Sequence, residues 1–293
     1  NARVYEQLTI TRCCGIVICN KGRKMNIVSF SGGRTSAYMC HILKRLDIPN
    51  LEFIFMDTGA EHPKTYEFIK KCDDYFGLNL KVLRPIINQE MGVGVSYEIV
   101  TTDNIGWDIS IMKELTKKYG TFNYLTPLCT SMLKTTVAQK YIKQFDNPIQ
   151  WIGIRIDERR RLKDKKGFKY LAEVSNMSKK DILGWWSEQP FDLEIPEHLG
   201  NCVFCVKKNA NYIALAQRDE PELYKDWVDM ITQARQRGDV PKEVMYRGEQ
   251  SIEGIVKFYN EYDYEDIKQT MRIYKNKSTV CSDSCEAFQM EMF

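Results

Sequence analysis

The run Asn26-Ile27-Val28-Ser29-Phe30-Ser31-Gly32-Gly33-Arg34-Thr35-Ser36 passes from an apolar strand through a glycine pair into a helix. Glycines let the backbone turn tightly and come close to a ligand. The helix expected next, Thr35–Leu46, offers unpaired N–H groups and the positive end of its dipole, both suited to phosphate. Ser31, Thr35 and Ser36 add hydroxyls. The run lacks the Gly-Lys-Ser/Thr ending of a Walker A loop. The plain alternative is a glycine turn with an N-cap.

The same alternation continues outward. Asn26–Phe30, Leu51–Met56, Leu80–Leu83 and Ile149–Ile154 read as strands, and Thr35–Leu46, Pro63–Phe76 and Ser131–Phe145 as helices. This order predicts an α/β fold, a mostly parallel sheet with helices on both faces. Residues 86–128, with Gly92, Gly94 and Gly106, show no clear period and are expected to form a mobile flap over a site. From Asn209 on the chain reads as a helical C-terminal region, with Tyr212–Arg218, Glu222–Gln236 and Ile252–Tyr259 as helices. The expected organisation is a nucleotide-binding domain over 25–205 and a helical region over 206–293. Residues 1–24 are expected to be an upstream extension, not necessarily native, with the natural start at Met25; a real N-terminal strand is the other reading.

With 293 residues, 43% hydrophobic and 28% charged, the chain has the composition of a folded globular protein rather than a disordered one. No apolar stretch approaches the 18 or so residues that span a bilayer, so no membrane partner is expected. The net charge of +3 permits a nucleic-acid or nucleotide partner without demanding one. Ten cysteines without a secretory signal point to a cytoplasmic setting, where close cysteine pairs suggest metal or redox chemistry.

Ser31–Ser36 resembles the PP-loop of the N-type ATP pyrophosphatases and of the phosphoadenosine phosphosulfate (PAPS) reductases, whose pattern is Ser-x-Gly-x-Asp/Glu-Ser or a close variant. Thr35 stands where the pyrophosphatases carry an acid, which puts ATP cleavage and Mg²⁺ organisation in question. Met56-Asp-Thr-Gly-Ala-Glu-His-Pro-Lys-Thr-Tyr-Glu-Phe68 resembles the PAPS reductase segment Asp-Thr-Gly-x-x-Phe-Pro-Glu-Thr-Tyr, with His62 and Lys64 as departures. Asp57, Thr58 and Gly59 follow the second strand, at the carboxyl end where parallel sheets bind ligands. Asp57 suits an adenine, ribose or metal contact; its plain role would be a cap on the following helix. Trp151-Ile-Gly-Ile-Arg-Ile-Asp-Glu-Arg159 resembles the family's Gly-Ile-Arg-x-Asp-Glu. Arg155 is there the candidate for a phosphate or sulfate group, since a guanidinium binds oxyanions bidentately. The family's second arginine falls on Arg159, Arg160 or Arg161. The resemblance implies an adenine nucleotide alpha hydrolase-like fold, with ATP or PAPS/adenylyl sulfate bound by Ser31, Gly32, Gly33, Arg34, Thr35 and Ser36, and with Asp57 and Arg155 as catalytic candidates.

Cys202-Val-Phe-Cys205 is a CxxC. Cluster-bearing members pair it with an earlier Cys-Cys-x-x-Arg-Lys, and Cys129-Thr-Ser-Met-Leu-Lys134 resembles that segment, with Thr130 and Leu133 as departures. The resemblance extends to Cys205 and implies a three-cysteine 4Fe-4S cluster on Cys129, Cys202 and Cys205, cysteine thiolates being the usual cluster ligands. A zinc site completed by His198 and reduced structural thiols are the other readings.

Cys281 and Cys285 lack the Glu-Cys-Gly-x-His surroundings of a PAPS reductase tail, and Cys13, Cys14, Cys40 and Cys72 read as extension or core residues. Trp185-Trp186 reads as core. The basic run Arg159–Lys169, with Phe168 and Tyr170 nearby, suits a tRNA or DNA backbone, and equally a solvated loop. Three functions stand open. The first is an enzyme that uses ATP and Mg²⁺ to adenylylate a nucleobase or related acceptor and then transfers sulfur from a donor. The second reduces PAPS or adenylyl sulfate to sulfite with a thiol reductant. The third is a nucleotide-binding regulator without turnover. The sequence does not set the oligomeric state.

Overall fold

The computed structural model describes residues 24–275 apart from 237 and 240. The N-terminal segment before 24 and the cysteines at 13, 14, 19, 281 and 285 lie outside the described residues. β1 (Asn26–Ser29) is buried along its length, as its apolar run requires for a strand covered on both faces. It leads through Ser31–Gly33 into α1 (Arg34–Arg45). β2 (Leu51–Met56), α2 (Pro63–Phe76), β3 (Lys81–Ile86), β4 (Ser96–Val100) and α3 (Ser110–Tyr119) follow. Then come α4 (Thr136–Ile142), β5 (Ile149–Ile152), β6 (Phe168–Tyr170) and α5 (Lys179–Ser187). α6 (Ala210–Asp219), α7 (Pro221–Gln233), α8 (Ile252–Tyr259) and α9 (Tyr264–Lys275) complete the described chain.

The six strands lie in the order β4-β3-β2-β1-β5-β6. All neighbours are parallel except β3 and β4. The chain first builds outward from β1 through β2 and β3, then returns to β5 on the other side of β1. The order therefore reverses between β1 and β5, the position at which open α/β sheets leave a crevice for a ligand. α1, α2 and α5 cover one face through Leu43, Phe68, Ile69 and Trp186, which pack with Phe30 at the end of β1. α4 covers the other through Val137, Ala138 and Tyr141. Cys40, Cys72 and Trp186 are fully buried, so these residues belong to the core as expected.

Three expectations are corrected. Residues 86–128 are not an irregular flap: they hold β4, paired antiparallel with β3, and α3, which buries Met112 and Leu115. The glycine-containing loop between β3 and β4 is tied down by Lys118, whose ammonium donates to the carbonyls of Asn88, Glu90 and Val93 at 2.5, 2.7 and 2.6 Å. The helix expected over Ser131–Phe145 begins as a wide π-type turn, Cys129–Thr135, and becomes α-helical only as α4. Finally, β6 lies inside the basic run, where Phe168 and Tyr170 pack on Ile152 and Ile154.

α8 and α9 each pack on α6, and α7 packs on α3. Tyr212, Ile213, Trp227, Met230, Ile255 and Ile267 share one buried cluster with Ala60, Cys202, Val203 and Phe204. The boundary expected at 205–206 falls within that cluster. Among the described residues no helix is long and apolar enough to cross a membrane.

Candidate functional site

The loop after β1 carries its own scaffold. The Ser36 hydroxyl accepts from the Ser31 N–H at 3.1 Å and donates to the Gly33 carbonyl at 3.0 Å, and it lies 2.8 Å from the Ser31 hydroxyl. Gly32 sits at φ +79, and a Cβ there would stand 2.9 Å from Ile69 Cδ1, so the turn requires glycine. The extended Gly33 is the N-cap of α1, and no acid sits in the first turn, which leaves the helix N-terminus electropositive. Arg34 turns away from the loop: its Nε and Nη2 donate to both oxygens of Asp192, at 2.6 and 2.9 Å, and Nη2 also to the Leu193 carbonyl. Trp186 Nε1 donates to the Arg34 carbonyl at 3.0 Å. The loop is thereby fixed to α5 and to the 191–193 segment.

A cleft of about 240 Å³ opens over this loop. Ser31, Gly32, Gly33, Arg34 and Thr35 form one wall, and Leu193, Ile195, Glu197, Gly200 and Asn201 another, with Glu61, Thr65 and Lys179 also lining it. The expected loop residues are thus brought together on a cleft, except Ser36, which supports them from behind.

Asp57, Thr58, Gly59 and Arg155 are not among the residues lining the cleft. The buried Asp57 carboxylate accepts from Arg84 Nη2 at 2.9 Å and Nε at 3.2 Å, from the Gly59 N–H at 3.0 Å and from the Tyr66 hydroxyl at 3.3 Å. Burial, with the Asp57 and Glu61 carboxylates nearby, pushes the Tyr66 phenol well above its ordinary value, so it stays a donor. β3 places Arg84 beside Asp57, so the carboxylate expected to contact adenine, ribose or a metal is paired with a guanidinium. Arg155 is buried, and its guanidinium faces Asp157 at 2.9 Å, Glu158 at 3.4 Å and the Thr35 hydroxyl at 3.2 Å. These two carboxylates offset its charge, and it reaches the loop through Thr35. A Cβ on Gly153 would stand 3.3 Å from Ser36 Cα, so the chain leaving β5 meets the first turn of α1 at the reversal of strand order. The three arginines at 159–161 form a short 3₁₀ turn, and Arg161 pairs with Glu158.

Cys129, Cys202 and Cys205 line one second cavity of about 20 Å³, together with Met112, Lys134 and Lys207. The β2–α2 segment joins this cavity to the cleft. Val203 N–H donates to the Ala60 carbonyl at 3.0 Å, and Glu61 and Cys202 pair as an antiparallel bridge. Cys202 Sγ lies 3.3 Å from Glu61 Oε1, and Lys134 Nζ lies 3.6 Å from the same oxygen. Glu61 therefore lines the cleft and touches the cysteine cavity. Lys208 is wholly buried and donates to the carbonyls of His198 and Val203 at 2.6 and 2.8 Å. Burial brings its ammonium down to about 8, against the opposing pull of Cys205, Cys202 and Glu61.

The donor chemistry fits a thiolate-held metal centre: three cysteines around one cavity, with lysines to offset thiolate charge. Among the described residues no three His, Cys, Asp or Glu side chains stand in metal-holding geometry, and about 20 Å³ is room for roughly one water. Cys129 and Cys205 are partly exposed and Cys202 is buried. The zinc reading through His198 is not met, because the imidazole Nε2 is 2.6 Å from Asp219 Oδ2 and the residue lines neither cavity.

Glu61, Lys134, Arg84 and Lys208 are the residues that motif reading left without a role. Glu61 stood inside the quoted segment after β2, but its partner Cys202 is 141 positions away. In the basic run, Lys165 and Lys169 lie over the rings of Phe168 and Trp151, at 4.6 and 5.2 Å, so the aromatics there pack inward.

The family model for the phosphoadenosine phosphosulfate reductase domain matches residues 25–188. The chain is 44% identical over 276 residues to the nin region protein ORF290 of Escherichia phage lambda, covering 90% of this chain and 95% of that one. It is 41% identical over 76 residues to the phosphoadenosine 5'-phosphosulfate reductase of Thiocapsa roseopersicina, covering 25% of this chain and 31% of that one. Among solved structures it is similar to a PAPS reductase from Candida auris in a phosphate complex, with 17% identity and a TM-score of 0.36 over 56% of this chain and 72% of that one.

Proposed function

The chain belongs to the phosphoadenosine phosphosulfate reductase domain family, and on that premise we propose that it is an ATP-dependent sulfur-transfer enzyme. ATP lies in the cleft with its phosphates on Ser31–Thr35. A carbonyl oxygen of a nucleobase or related acceptor attacks the α-phosphorus, pyrophosphate leaves, and a sulfur from the cysteine side then displaces AMP. The one observation that carries this is Glu61, which lines the nucleotide cleft and touches Cys202, so the two chemistries share a wall.

The chain's own residues supply position and charge, the main contributions to phosphoryl-type transfers. The N-terminus of α1 binds phosphate oxygens, Arg155 orients Thr35, and Asp57 with Arg84 holds the segment that carries Glu61. Mg²⁺, with Glu61 and Glu197 as the carboxylates on the cleft, would offset the triphosphate charge. A 4Fe-4S cluster on Cys129, Cys202 and Cys205 would supply an iron open to a sulfur ligand. The seven lysines and arginines of Arg159–Lys169 favour a tRNA or DNA acceptor.

A second reading, reduction of PAPS or adenylyl sulfate, is favoured by one specific arrangement. Thr35 replaces the loop acid, and Asp57 is spent on Arg84, which suits a preformed nucleotide without metal. In this reading the thiols act as nucleophiles and hold no cluster. Cys202 sulfur attacks the sulfate sulfur and the nucleoside phosphate leaves. Cys205 then releases sulfite as the two close a disulfide, which a dithiol reductant reopens.

Product analysis tests both. Anaerobic protein is incubated with ATP, Mg²⁺, sulfide and bulk tRNA or DNA, and separately with PAPS or adenylyl sulfate plus dithiol. AMP and pyrophosphate formed only with acceptor support sulfur transfer, whereas sulfite supports reduction. Neither product, with nucleotide still bound, leaves the regulator.

A further inference from the structure

We propose that Lys179 is the cation through which the cleft binds the nucleotide's phosphates, and that it exchanges Glu197 for them when the nucleotide enters. This rests on the reading that the cleft holds nucleotide phosphates on Ser31–Thr35. Among the described residues that line the cleft, the basic side chains are Arg34 and Lys179. Arg34 is committed to both oxygens of Asp192. Lys179 opens α5, and Ile182 and Leu183, three and four positions on, line the same cleft, so the three share the helix face turned to it. The lysine side chain is 36% exposed, and its Nζ lies 3.4 Å from Oε1 of Glu197, another cleft-lining residue whose side chain is 28% exposed.

The first turn of α5 offers the ligand this charge rather than its backbone donors. The Lys179 N–H donates to Asp157 Oδ2 at 3.4 Å, and the Asp181 N–H to the Ser178 hydroxyl at 3.4 Å. The first of these contacts also ties the lysine to the phosphate loop. Asp157 pairs with Arg155 at 2.9 Å, and Arg155 donates to the Thr35 hydroxyl at 3.2 Å. A partly exposed ion pair such as Lys179–Glu197 is worth little in water, so breaking it costs little. A triphosphate brings more negative charge than one carboxylate, and the ammonium gains by the exchange. Lysine suits the task because it is a point charge on a flexible stem that can follow the phosphates. Glu197 is left at the same end of the ligand, free to face the cation that accompanies a triphosphate.

The test is calorimetric binding of ATP to the full chain without added Mg²⁺, at low and at high KCl, with thermal melts confirming that each variant is folded. Lys179→Gln weakens binding about tenfold at low salt. The gap to wild type narrows at high salt, because salt screens a partly exposed charge contact. Lys179→Arg, which keeps the charge, stays within about threefold of wild type. Glu197→Gln removes the competing carboxylate and binds ATP about threefold more tightly. Lys179→Gln within about twofold of wild type would overturn the proposal. So would a loss that does not change with salt, an equal loss in Lys179→Arg, or weaker binding in Glu197→Gln, since the lysine would then act through packing rather than charge. Wild-type protein that binds no ATP would overturn the nucleotide reading itself, and this proposal would fall with it.

Discussion

Replacing Gly59 by alanine loads the contact that holds the β2–α2 segment over both cavities. Gly59 sits at φ +73, and an added Cβ would lie 1.8 Å from the Asp108 carbonyl oxygen and 2.8 Å from its carbon. The two backbones are also joined by the Asp108 N–H, which donates to the Gly59 carbonyl at 2.9 Å. Carbon and oxygen approach to about 3.3 Å at closest, so one segment must retreat by about 1.5 Å. The left-handed conformation costs a non-glycine residue roughly 1–2 kcal/mol. Overpacking against fixed backbone adds about 1–3 kcal/mol. The expected loss is therefore about 2–5 kcal/mol, a large part of a typical folding free energy. Gly92→Ala is the control: its φ is +87, but nothing lies within 4 Å of the added Cβ, so only the conformational cost of roughly 1–2 kcal/mol applies. Urea unfolding followed by circular dichroism compares the two. Gly59→Ala unfolds at clearly lower urea than Gly92→Ala, and its nucleotide affinity falls as well, because Glu61 is two residues on. Equal midpoints would mean that the Asp108 contact constrains nothing, contrary to the clash at 1.8 Å.

Ser36→Ala removes the hydroxyl that closes the phosphate loop on Ser31 and Gly33, and nucleotide binding by calorimetry weakens about tenfold, or roughly 1.4 kcal/mol. Lys118→Met strips three carbonyls of their donor, so the protein loses at least about 2 kcal/mol, and limited proteolysis now cuts between 88 and 94. His198 is held below its ordinary value chiefly by burial, against the pull of Asp219. The unfolded chain therefore binds the proton first as pH falls, and stability declines below about pH 6.5. His198→Gln flattens that part of the curve in urea midpoints measured from pH 7.5 to 5.

The strands that build the sheet were legible because they are buried runs of apolar residues, and the loop after β1 because glycines and hydroxyls sit between strand and helix. β4 was hidden for the opposite reason. It is an antiparallel edge strand with no fully buried residue, so it carries little hydrophobic signal. β6 is three residues long inside a basic run, and the Lys165 ammonium lies over the ring of its half-buried Phe168. Motif order was enough to bring Cys129 to Cys202 and Cys205 across more than 70 positions. It could not show that Asp57 and Arg155 would be committed to Arg84, Asp157 and Glu158, because those pairings depend on which strand lies beside which. Glu61 was invisible for the same reason: its meaning comes from the backbone bridge to Cys202, which only the folded chain contains.

In the sulfur-transfer proposal the nucleotide cleft serves a three-cysteine sulfur centre. Iron and acid-labile sulfide, measured with the visible spectrum on anaerobically purified protein, probe that centre itself. About four of each per chain are expected, lost together with the colour in Cys129→Ala, Cys202→Ala and Cys205→Ala. Wild-type protein with neither iron nor sulfide, and all three thiols open to alkylation after anaerobic reconstitution with iron and sulfide, would contradict it.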